Sequence, residues 1–225
     1  MKRIKIRFRF SKEGDLIYIS HQDLLRLFER GFRRAGFPLY FSEGFNPHPK
    51  ISIISALGLG IEGKEEAGEV ILREPVETDS FIAAANAAMP PEIRLISAEI
   101  ISPSIKTQPA GAEYCVQNFH PPPDSGAVTD LMAQSRILVS RRKQATVKQV
   151  DIRPYLEDIR LEGRDTLIIK TKITPAGTAR VDEILRVLGI DPGANGIHIS
   201  RKRLYFECQA SKKENHKKTE LKKTD

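Results

Sequence analysis

The residues best suited to chemistry fall between Ser20 and Lys50, in SHQDLLRLFERGFRRAGFPLYFSEGFNPHPK. His21 and Asp23 open a helical stretch, and His48 lies between Pro47 and Pro49. Both proline rings restrict the backbone around that histidine. A histidine held this way suits a general base, a ligand or a phosphate donor. Glu43 and Asn46 would complete a polar site if the loop 42–50 folds back over the start of the helix. The competing reading makes His48 a turn residue and His21 a surface residue. A metal at His21, Asp23 and His48 is the weakest alternative, since their spacing matches no ligand pattern. No metal and no cofactor are expected.

Basic residues form a second pattern. Arg3, Lys5, Arg7 and Arg9 alternate with Ile4, Ile6, Phe8 and Phe10, the signature of a half-buried strand. Arg26, Arg30, Arg33 and Arg34 share the helix face opposite Leu24, Phe28 and Phe32, whose apolar side Leu25 joins. An open basic sheet face and a basic helix can track a phosphate backbone, meet an acidic protein, or remain solvated. With Asn46 and His48, these eight basic residues are the candidate nucleic-acid or partner surface. There is no tryptophan, and the strand face is basic rather than aromatic. Sequence-specific readout of single strands by base stacking is therefore not expected.

Several machines are absent. Gly58 to Gly63 matches G-x-G-x-x-G, but a strand is expected next, where a dinucleotide site needs a helix. Neither G-x-S-x-G nor a Walker A sequence occurs. Cys115 and Cys208 are the only cysteines and read as free thiols, too few to bind an iron–sulfur cluster.

The elements that must position these residues follow from periodicity. The first half reads as a strand at 2–10, a helix capped by Ser20 with Asp23 in the capping-box position, and strands near 50–57 and 67–73. A helix near 78–89 and a strand near 93–101 complete it. Gly36 and Pro38 stop the first helix, and Pro90 and Pro91 the second. This βαββαβ order is ferredoxin-like. Residues 102–111 read as a linker. The second half reads as a strand near 112–119, a helix near 126–135 and strands near 137–141 and 146–150. An insertion, DIRPYLEDIRLEGRD, comes next. A strand at 166–173, a helix near 180–189 and a strand at 197–208 follow. The expected class is α+β, with tandem ferredoxin-like halves and antiparallel sheets. One domain covers 1–103 and a second, ferredoxin-like or irregular, covers 110–209. The remainder, 211–225, is a Lys-rich tail with the composition of a disordered segment.

The chain has 225 residues, 40% hydrophobic and 29% charged, with a net charge of +7. That composition suits an ordinary globular protein, and the moderate positive balance permits an anionic partner. No apolar run spans a bilayer, and MKRIKIRFRF lacks the apolar core of a signal peptide. A cytoplasmic location is expected.

A family pattern also runs through these residues. Phe8-Arg9-Phe10-Ser11-Lys12, Ile19 to Arg26, Arg33-Arg34-Ala35-Gly36, Pro38, Ser42 to Pro49 and Ala56-Leu57 resemble the radical-SAM-linked proteins, a bacterial family of unknown function. Residues 174–192, TPAGTARVDEILRVLGIDP, look like its more variable second part. Members occur alone, or fused to radical S-adenosylmethionine proteins that often carry a cobalamin-binding domain. The resemblance implies a stand-alone form with such an enzyme as partner, and it assigns no catalytic residues. More loosely, tandem ferredoxin-like halves are similar to the repeat-associated RNA-binding superfamily, which includes CRISPR RNA endonucleases. The leading expectation is an accessory protein without catalysis of its own, presenting RNA to the radical-SAM enzyme. The alternatives are an RNA-processing or RNA-modifying enzyme using His21 and His48, and a pure protein-interaction module.

Overall fold

The structure is a computed structural model describing residues 3–120, 122–123, 125–143 and 146–210, with backbone only at 125, 143 and 208–210. The Lys-rich tail and the Cys208 side chain lie outside the described residues. Among the described residues the fold is α+β, with four α-helices and mostly antiparallel strand pairing. Among the described residues, no helix is long and apolar enough to cross a membrane.

The chain divides into two compact units. Of the described residues, the first comprises 3–57, 66–109 and 206–210; the second comprises 58–65 and those within 110–205. In chain order the first unit opens with β1 (Ile4–Lys12), a 3-10 turn (Gly14–Tyr18) and α1 (His21–Arg34). Then come β2 (Ile51–Ile53), β3 (Glu62–Leu72), α2 (Thr78–Ala88) and β4 (Ile93–Ile101). The first four residues of β3 belong to the second unit. Strand order in the first unit is β2-β3-β1-β4, with β1 antiparallel to β4 and β2 antiparallel to β3.

The alternation expected in β1 holds. Ile6, Phe8 and Phe10 are fully buried and pack with Leu24, Phe28 and Phe32 from α1 and with Phe81 and Ala85 from α2. Leu25 is only half-buried. Phe8, Phe10, Phe28, Phe32, Phe37 and Phe81 form a continuous ring cluster, with centroids 4.7 to 6.3 Å apart. Edge-to-face and tilted contacts of this kind add to what burial alone contributes. Gly68 of β3 lets Phe8 sit there: a Cβ at Gly68 would lie 2.5 Å from the ring.

The second unit contains β5 (Ile105–Gln117), α3 (Ser125–Ala133), β6 (Leu138–Lys143), β7 (Thr146–Asp151) and a 3-10 turn (Arg153–Tyr155). It continues with β8 (Leu156–Glu162), β9 (Thr166–Thr174), β10 (Gly177–Thr178), α4 (Val181–Val187) and β11 (His198–Ala210). Residues 105–109 of β5 and 206–210 of β11 belong to the first unit. β9 lies between β5 and β8, antiparallel to both, and β5 neighbours β11. β6 and β7 form a separate hairpin. Its Arg141 makes a two-pronged ion pair with the buried Glu183 of α4, at 2.7 and 2.8 Å. The core runs from Val116 and Phe119 through Leu156 and Ile159 to Ile184 and Leu185. Cys115 is a buried free thiol.

Two readings of the sequence need correction. Residues 102–111 are no linker, because β5 already begins at Ile105. Pro109 and Gly111 disguise the strand, and Gly111 is needed there, since a Cβ would come 2.8 Å from the Thr171 carbonyl oxygen. DIRPYLEDIRLEGRD is no insertion either. Its Leu156 and Ile159 are core residues, and it forms β8 against β9. The pairing shifts register between Leu156 and Asp158, so the period-2 pattern that marks a strand is broken. Arg153 secures the turn before β8 by donating to the carbonyls of Met132, Gln134 and Leu156. Smaller differences are β2, which keeps only 51–53 of the expected 50–57, and β3, which starts five residues earlier than expected.

Candidate nucleic-acid interface

The basic face of β1 is not open. Lys5 and Arg7 are buried, and their charge is met inside the first unit. Lys5 Nζ lies 2.6 Å from Glu69 Oε2 and donates to the Ile105 carbonyl. Arg7 pairs with Glu69 and Glu99 and donates to Thr107 Oγ1, whose hydroxyl in turn donates to Glu69. Glu69 comes from β3, and Glu99 stands directly opposite Arg7 on β4. Acids on neighbouring strands thus meet the bases on one sheet face. Arg7 and Arg9 also stack on the Phe206 ring, at 4.7 and 4.4 Å from its centroid.

α1 begins as its sequence dictates. The Ser20 hydroxyl accepts from the Asp23 amide and donates to the Asp23 carboxylate. Asp23 also receives a hydrogen bond from Arg26. The Ser20 and Arg26 contacts hold the Asp23 carboxyl below its ordinary range, so it is an engaged carboxylate rather than a proton donor. The helix ends at Ala35 with Gly36 at φ +75°. There the Phe37 amide reaches back to the Phe32 carbonyl, a left-handed glycine stop.

The loop beyond that stop is closed by its own hydrogen bonds. The Ser42 amide donates to the His48 carbonyl, and the His48 amide donates to the Ser42 hydroxyl. Tyr40 and Lys50 join it to β3 through Ile71. Phe41 pairs with Pro49. At its tip Gly44 takes φ +124°, a conformation that glycine tolerates. Residues 43–48 are exposed, and Phe45 is as exposed as in an extended chain, at 107%.

Cations from distant parts of the first unit gather at the base of this loop. The Arg3 guanidinium lies 4.5 Å from the centroid of the Tyr40 ring, and Lys50 Nζ lies 5.8 Å from it. Arg33 and Arg73 lie over Phe41 at 5.2 and 5.7 Å. Glu43 faces Arg3 at 3.5 Å, and Glu29 holds Arg33 at 2.8 Å. Among the described residues, Lys50 and Arg73 have no carboxylate partner. Arg3 and Lys50 thus meet one ring, Arg33 and Arg73 meet the other, and Phe45 projects from the loop tip. Guanidinium and ammonium groups suit phosphates, and free rings suit unstacked bases.

This loop does not fold over the start of α1. Arg33, which touches Phe41, is in the last turn, and the helix is about 20 Å long at 1.5 Å per residue. His21 and Asp23 therefore stand at one end of α1, while Asn46 and His48 stand beyond the other. Among the described residues no hydrogen bond joins the two pairs, and no group of His, Cys, Asp and Glu could hold a metal ion. The helix arginines separate too: Arg33 turns to Glu29 and Phe41, while Arg26, Arg30 and Arg34 line a groove against α2. Tyr40, Phe41, Phe45, Lys50 and Arg73 were not among the residues expected from sequence. The readable signal was an aromatic-rich loop, LYFSEGF, directly after a basic helix end.

Fold and site together define an α+β protein with an exposed aromatic loop set among cations. Residues 5–184 match the model of a family described as uncharacterized protein conserved in bacteria (DUF2344). The chain belongs to that family. No curated protein matches it.

Proposed function

We propose that this protein is a cytoplasmic RNA-binding accessory factor that presents single-stranded RNA to a partner radical-SAM enzyme, one with or without a cobalamin-binding domain. The observation that carries the RNA reading is Phe45, fully exposed at the tip of a self-bonded loop whose base holds Arg3 and Lys50 on Tyr40 and Arg33 and Arg73 on Phe41. Phosphates would lie along those cations, and a base would stack on Phe45 or Tyr40, with Asn46 and His48 beside it to meet base edges. The partner is supported by the resemblance of residues 8–57 to radical-SAM-linked proteins. We read both units as ferredoxin-like. Supporting this are the order β2-β3-β1-β4 in the first unit and the run β8-β9-β5-β11 in the second. In the second unit the β6–β7 hairpin is then the addition. Catalysis by His21 and His48 together is not favoured, because α1 separates them.

The test is binding of a fluorescein-labelled oligouridine across a salt series. Phosphate contacts make affinity fall steeply with salt. Phe45→Ala should cost about 1 to 3 kcal/mol of binding, as loss of one stacking platform does. Lys50→Ala with Arg73→Ala should flatten the salt slope by about two phosphate contacts. Weak binding that is insensitive to salt and to Phe45→Ala would reject the proposal.

A further inference from the structure

A second basic surface of the first unit has a different lining. A groove of about 630 Å³ lies between α1 and the end of α2. Arg26, Arg30 and Arg34 stand along one wall at successive helical turns. Ile19, Leu27 and Met89 supply an apolar lining, and Pro90 and the last alanines of α2 form the far side. Arg34 is anchored, donating to the Ala88 carbonyl at 2.7 and 3.2 Å. Arg26 is shared with Asp23. Arg30, in the middle, is exposed and has no acidic partner among the described residues. Three guanidiniums thus face the groove against one carboxylate.

We infer that this groove docks an acidic amphipathic helix of a partner protein. Charge complementarity and the chemistry of the lining both select this occupant. Apolar side chains spaced i, i+3, i+4 would enter between Leu27 and Met89, and carboxylates on their flank would meet Arg26, Arg30 and Arg34. Methionine adapts to such side chains without a fixed shape. RNA is the poorer fit, because the lining is aliphatic and offers no ring for a base, unlike the Phe45 loop. A second copy is also the poorer fit, because each chain carries +7. The partner's identity as the enzyme served by this factor rests on the proposed function; the docking itself does not.

The experiment uses the full chain and a fluorescein-labelled synthetic helix with leucines at i, i+3, i+4 and i+7 and glutamates on their flank. The control peptide carries lysine in place of each glutamate. The acidic peptide should bind at least 10-fold more tightly than the control, and Arg30→Glu should weaken it at least 10-fold. Methyl NMR of the unmutated chain should show shifts at Ile19, Leu27 and Met89. Arg30→Glu should leave oligouridine binding unchanged, and Phe45→Ala should leave peptide binding unchanged. Equal binding of the two peptides, no effect of Arg30→Glu, methyl shifts elsewhere, or displacement of the peptide by oligouridine would each overturn the inference. If the peptide fails while oligouridine binds, only the groove inference falls. If oligouridine fails while the peptide binds, the RNA reading falls and the groove stands.

Discussion

Residues 3–9 and α1 each carry four basic residues at spacings that share a face, and the fold treats Lys5 and Arg7 unlike the helix arginines. In β1, Lys5 and Arg7 are buried and held by Glu69, Glu99 and Thr107. In α1, Arg26, Arg30, Arg33 and Arg34 all remain exposed. A strand inside a sheet has neighbours on both sides, whose side chains on the same face lie within reach. A surface helix meets only its own i±3 and i±4 residues on its outer face. A basic stripe in a strand is therefore weaker evidence for an external anion than one on a helix.

The sharpest way to break this contrast is Glu69→Ala. It strips Lys5 of its carboxylate and Arg7 of one of its two, and should cost about 3 to 5 kcal/mol, read by urea denaturation. Arg30→Glu on the helix should stay within about 0.5 kcal/mol in the same assay. A loss at Glu69 no larger than that would mean that water already screens the strand cations, and the contrast would collapse. Next in size is Gly68→Ala, which drives a methyl into the Phe8 ring behind the same strand. It should cost about 1 to 3 kcal/mol, the range for overpacking a core. A neutral outcome would show that the ring cluster yields easily.

The smallest effect concerns pH. Glu77 caps α2 by accepting from the Asp79 and Ser80 amides, and those bonds hold its carboxyl below the ordinary value of 4.5. The folded value lies under the unfolded one. The stabilisation is therefore present above the unfolded value and is lost as pH falls through the folded one. A series of melting temperatures from neutral pH down through the carboxylate range should fall less steeply for Glu77→Ala than for the unmutated chain. Parallel curves would remove the cap from the account of how α2 forms the far side of the groove.

Much of the first unit was legible residue by residue. Ser20 and Asp23 mark where α1 starts, Gly36 marks where it stops, and Phe28 and Phe32 declare its buried face. The strands misread were those whose period is interrupted: β8 by its register shift, and β5 by Pro109 and Gly111. The candidate interface was legible only in part. Asn46, His48, Arg3 and Arg33 stood out by type. Arg73 and Lys50 did not, because they meet Tyr40 and Phe41 only after β2 and β3 have paired. The convergence of His21 with His48 was a reasonable expectation of sequence proximity, and the length of α1 defeats it.

What the sequence determined alone is local: the α+β class, the alternation of β1, the cap and stop of α1, and the phenylalanines that must be buried. These depend on periods of 2 and 3.6 and on hydrogen bonds spanning a few residues. Which charges face water was decided only by the tertiary structure. Arg7 is paired with Glu99 and hydrogen-bonded to Thr107, 92 and 100 residues away along the chain. Arg30, exposed on α1, has no acidic partner among the described residues. The physical reason is range: a cap forms from adjacent residues, whereas neutralising a cation requires whichever acid the sheet brings alongside.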